Sequence, residues 1–231
     1  MGQPPVPEQA APDDADDLVQ RLLNALPQTQ CTRCGYPDCA AYAHAIAAGE
    51  TAINQCPPGG AEGVVRLAAI SGQAVTALNP EHGLEAPRSV AFVDEAWCIG
   101  CTLCIDACPT DAIFGTHKQM HTVIEAYCTG CELCLPVCPV DCIHLENASG
   151  SATGWAAWSP AQADLARRRY TAAQTRRADT TSALQVRKAA EAQDKLANLA
   201  AHSRITDPDE LARKKAFIEA AMARARQRTS G

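Results

Sequence analysis

Apolar residues in the first third of the chain recur at helical intervals. LVQRLLNAL (18–26), AAYAHAIAAGE (40–50) and VVRLAAISGQAVTAL (64–78) each place them on one face of a 3.6-residue period. From residue 88 the pattern shortens. Val90 to Val93, Ala112 to Phe114, His121 to Ile124 and Cys142 to Leu145 are brief apolar runs of strand length, set on either side of cysteine-rich loops. A third regime begins at Ser159, where Ser159-Pro160-Ala161-Gln162 reads as a capping box with proline at the first helical position. Asp207-Pro208-Asp209-Glu210 repeats that signature before LARKKAFIEAAMARARQR, so two exposed helices are expected. Residues 1–17 (MGQPPVPEQAAPDDADD) hold almost nothing to bury and read as disordered.

The fold class that follows is α+β. Its segments are a disordered 1–17, a small helical domain 18–82, a linker 83–87, a β-α-β repeat domain 88–148, a linker 149–158 and an extended helical tail 159–231.

Composition makes the core a problem. Leu, Ile, Val and Phe together number 40 of 231 residues, below the roughly 20% at which chains look disordered, while alanine alone numbers 45. Something besides aliphatic burial must hold the folded part. The 13 cysteines can do so, because metal–thiolate bonds supply folding free energy directly. No stretch reaches ten uninterrupted apolar residues and the first thirty contain no apolar h-region. No membrane span or cleaved secretory signal is expected, and without export the thiols are read as ligands rather than disulfides. Charge divides the chain: the formal net charge of -6 is the balance of about -13 over residues 1–150 and +7 over 151–231, with every cysteine in the acidic part.

Residues 94–113 (DEAWCIGCTLCIDACPTDAI) and 124–143 (IEAYCTGCELCLPVCPVDCI) align at an offset of 30, an internal repeat. Each contains C-x2-C-x2-C-x3-C-P. Three thiolates from one tight loop can take three corners of an iron–sulfur cube, and in the two-cluster ferredoxin arrangement the fourth cysteine serves the other cluster. The expected sets are Cys98, Cys101, Cys104 and Cys138, and Cys128, Cys131, Cys134 and Cys108. A pair of structural zinc sites would need only two CxxC pairs, and explains neither the third cysteine nor the proline. Cys31, Cys34, Cys39 and Cys56 (C-x2-C-x4-C-x16-C) suffice for one more four-ligand centre, with zinc and [4Fe-4S] both open on spacing alone.

The run LPQTQCTRCGYPDCAAYAHAIAAGETAINQCPPGG (26–60), followed at once by the double repeat, resembles the B subunit of the bacterial Rnf electron transport complex over about residues 18–148. The resemblance implies a [4Fe-4S] cluster on Cys31, Cys34, Cys39 and Cys56, hence three [4Fe-4S] clusters in all. It further implies an electron relay at the cytoplasmic face of the inner membrane, between soluble ferredoxin and the membrane subunits of an ion-translocating complex. Members of that family usually open with a membrane-spanning helix, whereas this sequence opens on a polar Pro/Asp segment. The expectation is therefore a cytoplasmic chain, peripheral on that face through protein contacts or its basic tail.

Of the remaining residues, Cys142 stands where the first half has Ala112 and is read as a small buried side chain beside a cluster, a spare ligand being the alternative. Trp97 and Tyr127 are read as apolar cover for the clusters. His44, His82, His117, His121, His144 and His202 have no CxxH or HxxxH partner and are read as structural or exposed. The Arg-rich tail is read as a solvated helix, dispensable for the clusters from residue 161 onward. Docking on an acidic partner, an anionic membrane surface or nucleic acid is the alternative. No nucleophile, acid–base pair, G-x-G-x-x-G or phosphate loop is present, so catalytic residues are expected to be absent. The rival functions are a free-standing polyferredoxin serving other reductases, and an iron–sulfur regulatory module that uses the basic tail.

Overall fold

The computed structural model describes residues 12–229. Residues 1–11 of the segment read as disordered lie outside the described residues. The rest of it is helical, because α1 spans Pro12–Asn24. Proline at a first helical position followed by a run of aspartates is favourable N-terminal helix composition, which mean polarity conceals.

Three helices build the first core. Val19, Leu22 and Leu26 from α1 and the residues after it pack with Tyr42, Ala43 and Ile46 of α2 (Cys39–Ala47) and Val64, Leu67 and Ala68 of α3 (Gly60–Ser71). Asp38 caps α2, accepting a hydrogen bond from the Ala41 amide at 2.7 Å. The third helical run is shorter than its periodicity suggests: α3 stops at Ser71, where Gly72 turns left-handed at φ 74° and its amide caps Ala68 O at 2.9 Å.

The repeat folds as two interleaved antiparallel ribbons. β1 (Ser89–Val93), the first strand of the first half, pairs with β4 (Ile143–Asn147), the last of the second, in the register Ala91↔Leu145. β2 (Ile113–Phe114) pairs with β3 (Thr122–Val123). The 30-residue offset is visible in the backbone: Gly100 and Gly130 have φ of 66° and 65°, Thr102 and Glu132 67° and 65°, Asp111 and Asp141 49° and 50°. A Cβ at Gly130 would run into the Ser89 carbonyl oxygen, so only glycine fits that crossing. The halves differ in one element. α4 (Leu103–Ala107) has only turns as its counterpart, because Asp106 donates its amide to Thr102 O at 3.2 Å whereas its twin, Pro136, has no N–H.

Residues 149–158 are not a loose linker, and the tail does not begin as a solvated helix. Trp155 and Trp158 are buried, with the Arg66 and Arg88 guanidinium groups 4.0 and 5.2 Å from their ring centroids. α5 (Pro160–Ala197) opens with the expected capping box, Gln162 N donating to Ser159 Oγ at 3.2 Å, and buries Ala163, Ala166 and Ala173. Two indoles and an alanine stripe bind this stretch to the cysteine-bearing part, a packing that alanine-rich composition does not advertise.

The chain divides into two compact units at Gln174. The second, described by itself, comprises the rest of α5, α6 (Leu199–His202) and α7 (Pro208–Thr229), with Asp207 accepting from the Asp209 amide at 2.8 Å. Its described side chains are mostly exposed, Val186 and Phe217 among them. Among the described residues no helix is long and apolar enough to cross a membrane.

Candidate iron–sulfur sites

Site one is built on the loop between α1 and α2. Gln28, Gln30 and Thr32 all take positive φ (61°, 55° and 59°), curling the backbone around Cys31, Cys34 and Cys39. Two buried glutamines hold that curl. Gln28 Nε2 donates to Leu23 O at 2.5 Å, Gln30 Nε2 donates to Gln28 Oε1 at 3.2 Å, and Gln30 Oε1 accepts from the Cys39 amide at 3.0 Å. Cys56 returns from the other side, where the Tyr42 hydroxyl donates to Ala52 O at 2.8 Å and accepts from the Gln55 amide at 3.1 Å. Burial, then the neighbouring thiols, pushes Cys39 and Cys56 far above the ordinary value.

Site two gathers Cys98, Cys101, Cys104 and Cys138 around one small cavity, together with His121 and Cys142. The His121 amide donates to Cys98 Sγ at 3.4 Å, its Nδ1 lies 3.2 Å from Cys104 Sγ, and Cys142 Sγ lies 3.6 Å from Cys138 Sγ. Burial, followed by Cys101 and Cys98, pushes Cys104 up to about 11. Burial also raises Cys138, but the Val140, Cys142 and Asp141 amides and the Cys142 thiol outweigh it and hold the group below its ordinary value.

Site three joins Cys128, Cys131 and Cys134 to Cys108. Burial pushes Cys131 and Cys134 up to about 12, and Cys108 and Cys128 add to both shifts, which puts Cys108 beside the distant loop rather than its own. The Ala91 amide donates to Cys128 Sγ at 3.3 Å and the Ala112 amide to Cys108 Sγ at 3.2 Å. Site three also touches site one: Thr129 Oγ1 donates to Thr29 O at 2.9 Å, and Arg33 pairs with Glu132 at 2.6 Å. The row therefore runs one, three, two.

The donor chemistry fits iron–sulfur clusters. Each group offers four thiols without a disulfide, held among one another where burial disfavours bare thiolates, with amides already aimed at sulfurs. A cationic iron core is what would keep such thiolates ionised.

Several participants carried no sequence signal of their own. Gln28, Gln30 and Thr129 look like loop filler. His121, read as structural or exposed, is 1% exposed and sits against Cys104; its repeat partner Ala91 was the available clue. Cys142 is buried beside Cys138, as its small size suggested. Trp97 is not cover, being 67% exposed, because the loop turns it outward with Ile99 and Leu103. Tyr127 is half-buried, with the Arg169 guanidinium 3.6 Å from its ring centroid. Arg169 Nε also donates to Thr110 O at 2.7 Å, and Tyr170 Oη to Asp38 Oδ2 at 3.0 Å, so the first turns of α5 clasp the loops of sites one and three.

A family model for a "4Fe-4S dicluster domain" matches residues 91–145, and one described as "Putative Fe-S cluster" matches residues 26–58. The chain is 58% identical over 142 residues to the B subunit of the ion-translocating oxidoreductase complex of Azoarcus sp., covering 62% of this chain and 78% of that protein. It is 55% identical over 157 residues to the corresponding protein of Alkalilimnicola ehrlichii, covering 67% and 83% respectively. The match to the Thiobacillus denitrificans protein of the same name is 57% over 111 residues, 48% of this chain and 59% of that one. With its matched positions running through both cysteine-bearing parts, the chain belongs to the family of B subunits of ion-translocating oxidoreductase complexes.

Proposed function

We propose that this protein relays single electrons through three [4Fe-4S] clusters as the B subunit of an ion-translocating oxidoreductase complex. Site one would be held by Cys31, Cys34, Cys39 and Cys56, site two by Cys98, Cys101, Cys104 and Cys138, and site three by Cys128, Cys131, Cys134 and Cys108. When bound, such clusters take up and release one electron at a time. The chain's own work is to hold the thiolates, aim amides at them and keep water away. The observation that carries the reading is that Cys138 lies with Cys98, Cys101 and Cys104 and Cys108 with Cys131 and Cys134, an exchange that would tie sites two and three into one unit. The Arg33–Glu132 and Thr129–Thr29 links support site three as the middle of the row. Other members of the complex would be its partners, and peripheral attachment at the cytoplasmic face of the membrane its place.

Anaerobic purification with iron, acid-labile sulfide and zinc analysis tests the reading. About twelve iron and twelve sulfide per chain are expected from three four-iron clusters. About eight iron with one zinc would assign site one to zinc instead.

A further inference from the structure

The offset of 30 pairs Ala91 with His121 and Ala112 with Cys142. The backbones of each pair do the same job, since the Ala91 and His121 amides both donate to the first cysteine of the opposite loop, at 3.3 and 3.4 Å. The Ala112 amide reaches Cys108 at 3.2 Å, as the Cys142 amide faces Cys138. The side chains break the equivalence. His121 brings an imidazole nitrogen to Cys104 Sγ and Cys142 a thiol to Cys138 Sγ, where the twins offer only methyl groups.

The imidazole is seated for this. Gly115 makes its room, because a Cβ there would run into His121 Cδ2. Nε2 is buried without a partner, so placing the ring proton on Nδ1, facing the sulfur, avoids a buried unpaired N–H. Two hydroxyls do stand beside site-three sulfurs, Thr110 Oγ1 at 3.9 Å from Cys108 Sγ and Thr129 Oγ1 next to Cys131, but each has a closer oxygen acceptor for its single proton: Thr110 Oγ1 donates to Tyr127 O at 2.8 Å and Thr129 Oγ1 to Thr29 O at 2.9 Å.

We infer that His121 and Cys142 are positioning residues that give the site-two cluster a higher reduction potential than its twin at site three, by donating hydrogen bonds to Cys104 and Cys138. The inference rests on the cluster assignment proposed above. A donor aimed at a ligand sulfur stabilises the more negative, reduced state. The reduced repeat therefore carries its electron at site two, the end of the row away from site one, where Trp97, Ile99 and Leu103 are exposed.

The test is a redox titration of the intact, cluster-loaded chain followed by EPR, with iron and sulfide counted on the same samples. His121→Phe fills the cavity without an N–H; Cys142→Ala installs the residue that the other half already tolerates. Each variant should lower one cluster's one-electron reduction equilibrium by about tenfold, about 59 mV, and leave the others in place. His121→Gln, which keeps an N–H donor, should recover part of the shift. Unmoved potentials in Cys142→Ala with full iron content would overturn the inference, as would equal shifts from Phe and Gln at position 121. If His121→Phe loses its cluster, Cys142→Ala alone decides. An iron count well below twelve in the unaltered chain would instead strike the cluster assignment.

Discussion

The helical domain and the repeat domain both gather cysteines, but they differ in what surrounds them. Site one is attached to a conventional core, in which Val19, Leu22, Leu26, Tyr42, Ile46 and Leu67 pack whether or not the thiols are engaged. In the repeat, cysteines are a large share of the interior: Cys104, Cys108, Cys134 and Cys142 are buried with Ala91, Val93, Ala112, Ile113 and Ile143, and Cys98, Cys128 and Cys138 pack at its edge. One domain positions its ligands by packing; the other obtains its packing from the ligands. The aliphatic shortage in the composition lies in the tail, where Leu, Ile, Val and Phe number 9 of the 83 residues from 149 to 231, against 16 of the 61 from 88 to 148.

Breaking a crossed ligand should show the contrast most strongly. Cys108→Ala is expected to abolish the cluster built on Cys128, Cys131 and Cys134 and to loosen both halves of the repeat, while site one keeps its spectrum. Loss of the cluster on Cys98, Cys101 and Cys104, with the other intact, would refute the crossed pairing. Removing all iron with an anaerobic chelator comes next. Hydrogen exchange should report loss of protection throughout β1–β4 and retention in α1, α2 and α3; uniform loss would erase the distinction drawn here.

The cluster-free helical domain should also carry a pH signature. Burial raises the thiols of Cys34, Cys39 and Cys56, so the folded state binds those protons more tightly than the unfolded chain does. The stability they contribute is fully present below the ordinary thiol value of 9.0 and is lost as pH rises above it. Thermal melts of the cluster-free protein should therefore fall above pH 9, and those of the loaded protein, whose thiolates are already ionised, should not show that titration.

A smaller effect is expected where the scaffold of site one is trimmed. Tyr42→Phe removes the hydroxyl that joins Ala52 O to the Gln55 amide, which should cost about 1–3 kcal/mol by denaturant unfolding of the helical domain and leave the repeat unchanged. Truncation gives the smallest change if made at the right place. Ending the chain at residue 174 should leave iron content unaltered. Ending it at 160 removes Arg169 from Thr110 and Tyr127, and Tyr170 from Asp38, and should destabilise the loops of sites one and three. Those contacts bear on the expectation that everything from residue 161 onward is dispensable for the clusters, and this pair of truncations tests it.

Local information fixed much of this protein. Cysteine spacing alone predicted the groups in which the repeat's cysteines lie, because a tight loop can present only three thiolates to one cube and the 30-residue repeat offers a fourth across the pair. Strand positions and the helix caps at Ser159 and Asp207 followed from period and from side-chain oxygen chemistry, which act within a few residues. Tertiary structure decided what depends on distant partners. The Gln28–Gln30 network has no local signature, since the polar atoms it satisfies belong to Leu23 and Cys39. The clasp of α5 depends on carbonyls 58 and 59 residues away at Asp111 and Thr110, exposed there by a loop bent for other reasons. The inequality of the two repeat sites likewise required the fold, because His121 acquires its role only when the swapped strands carry it over Cys104, 17 residues back along the chain.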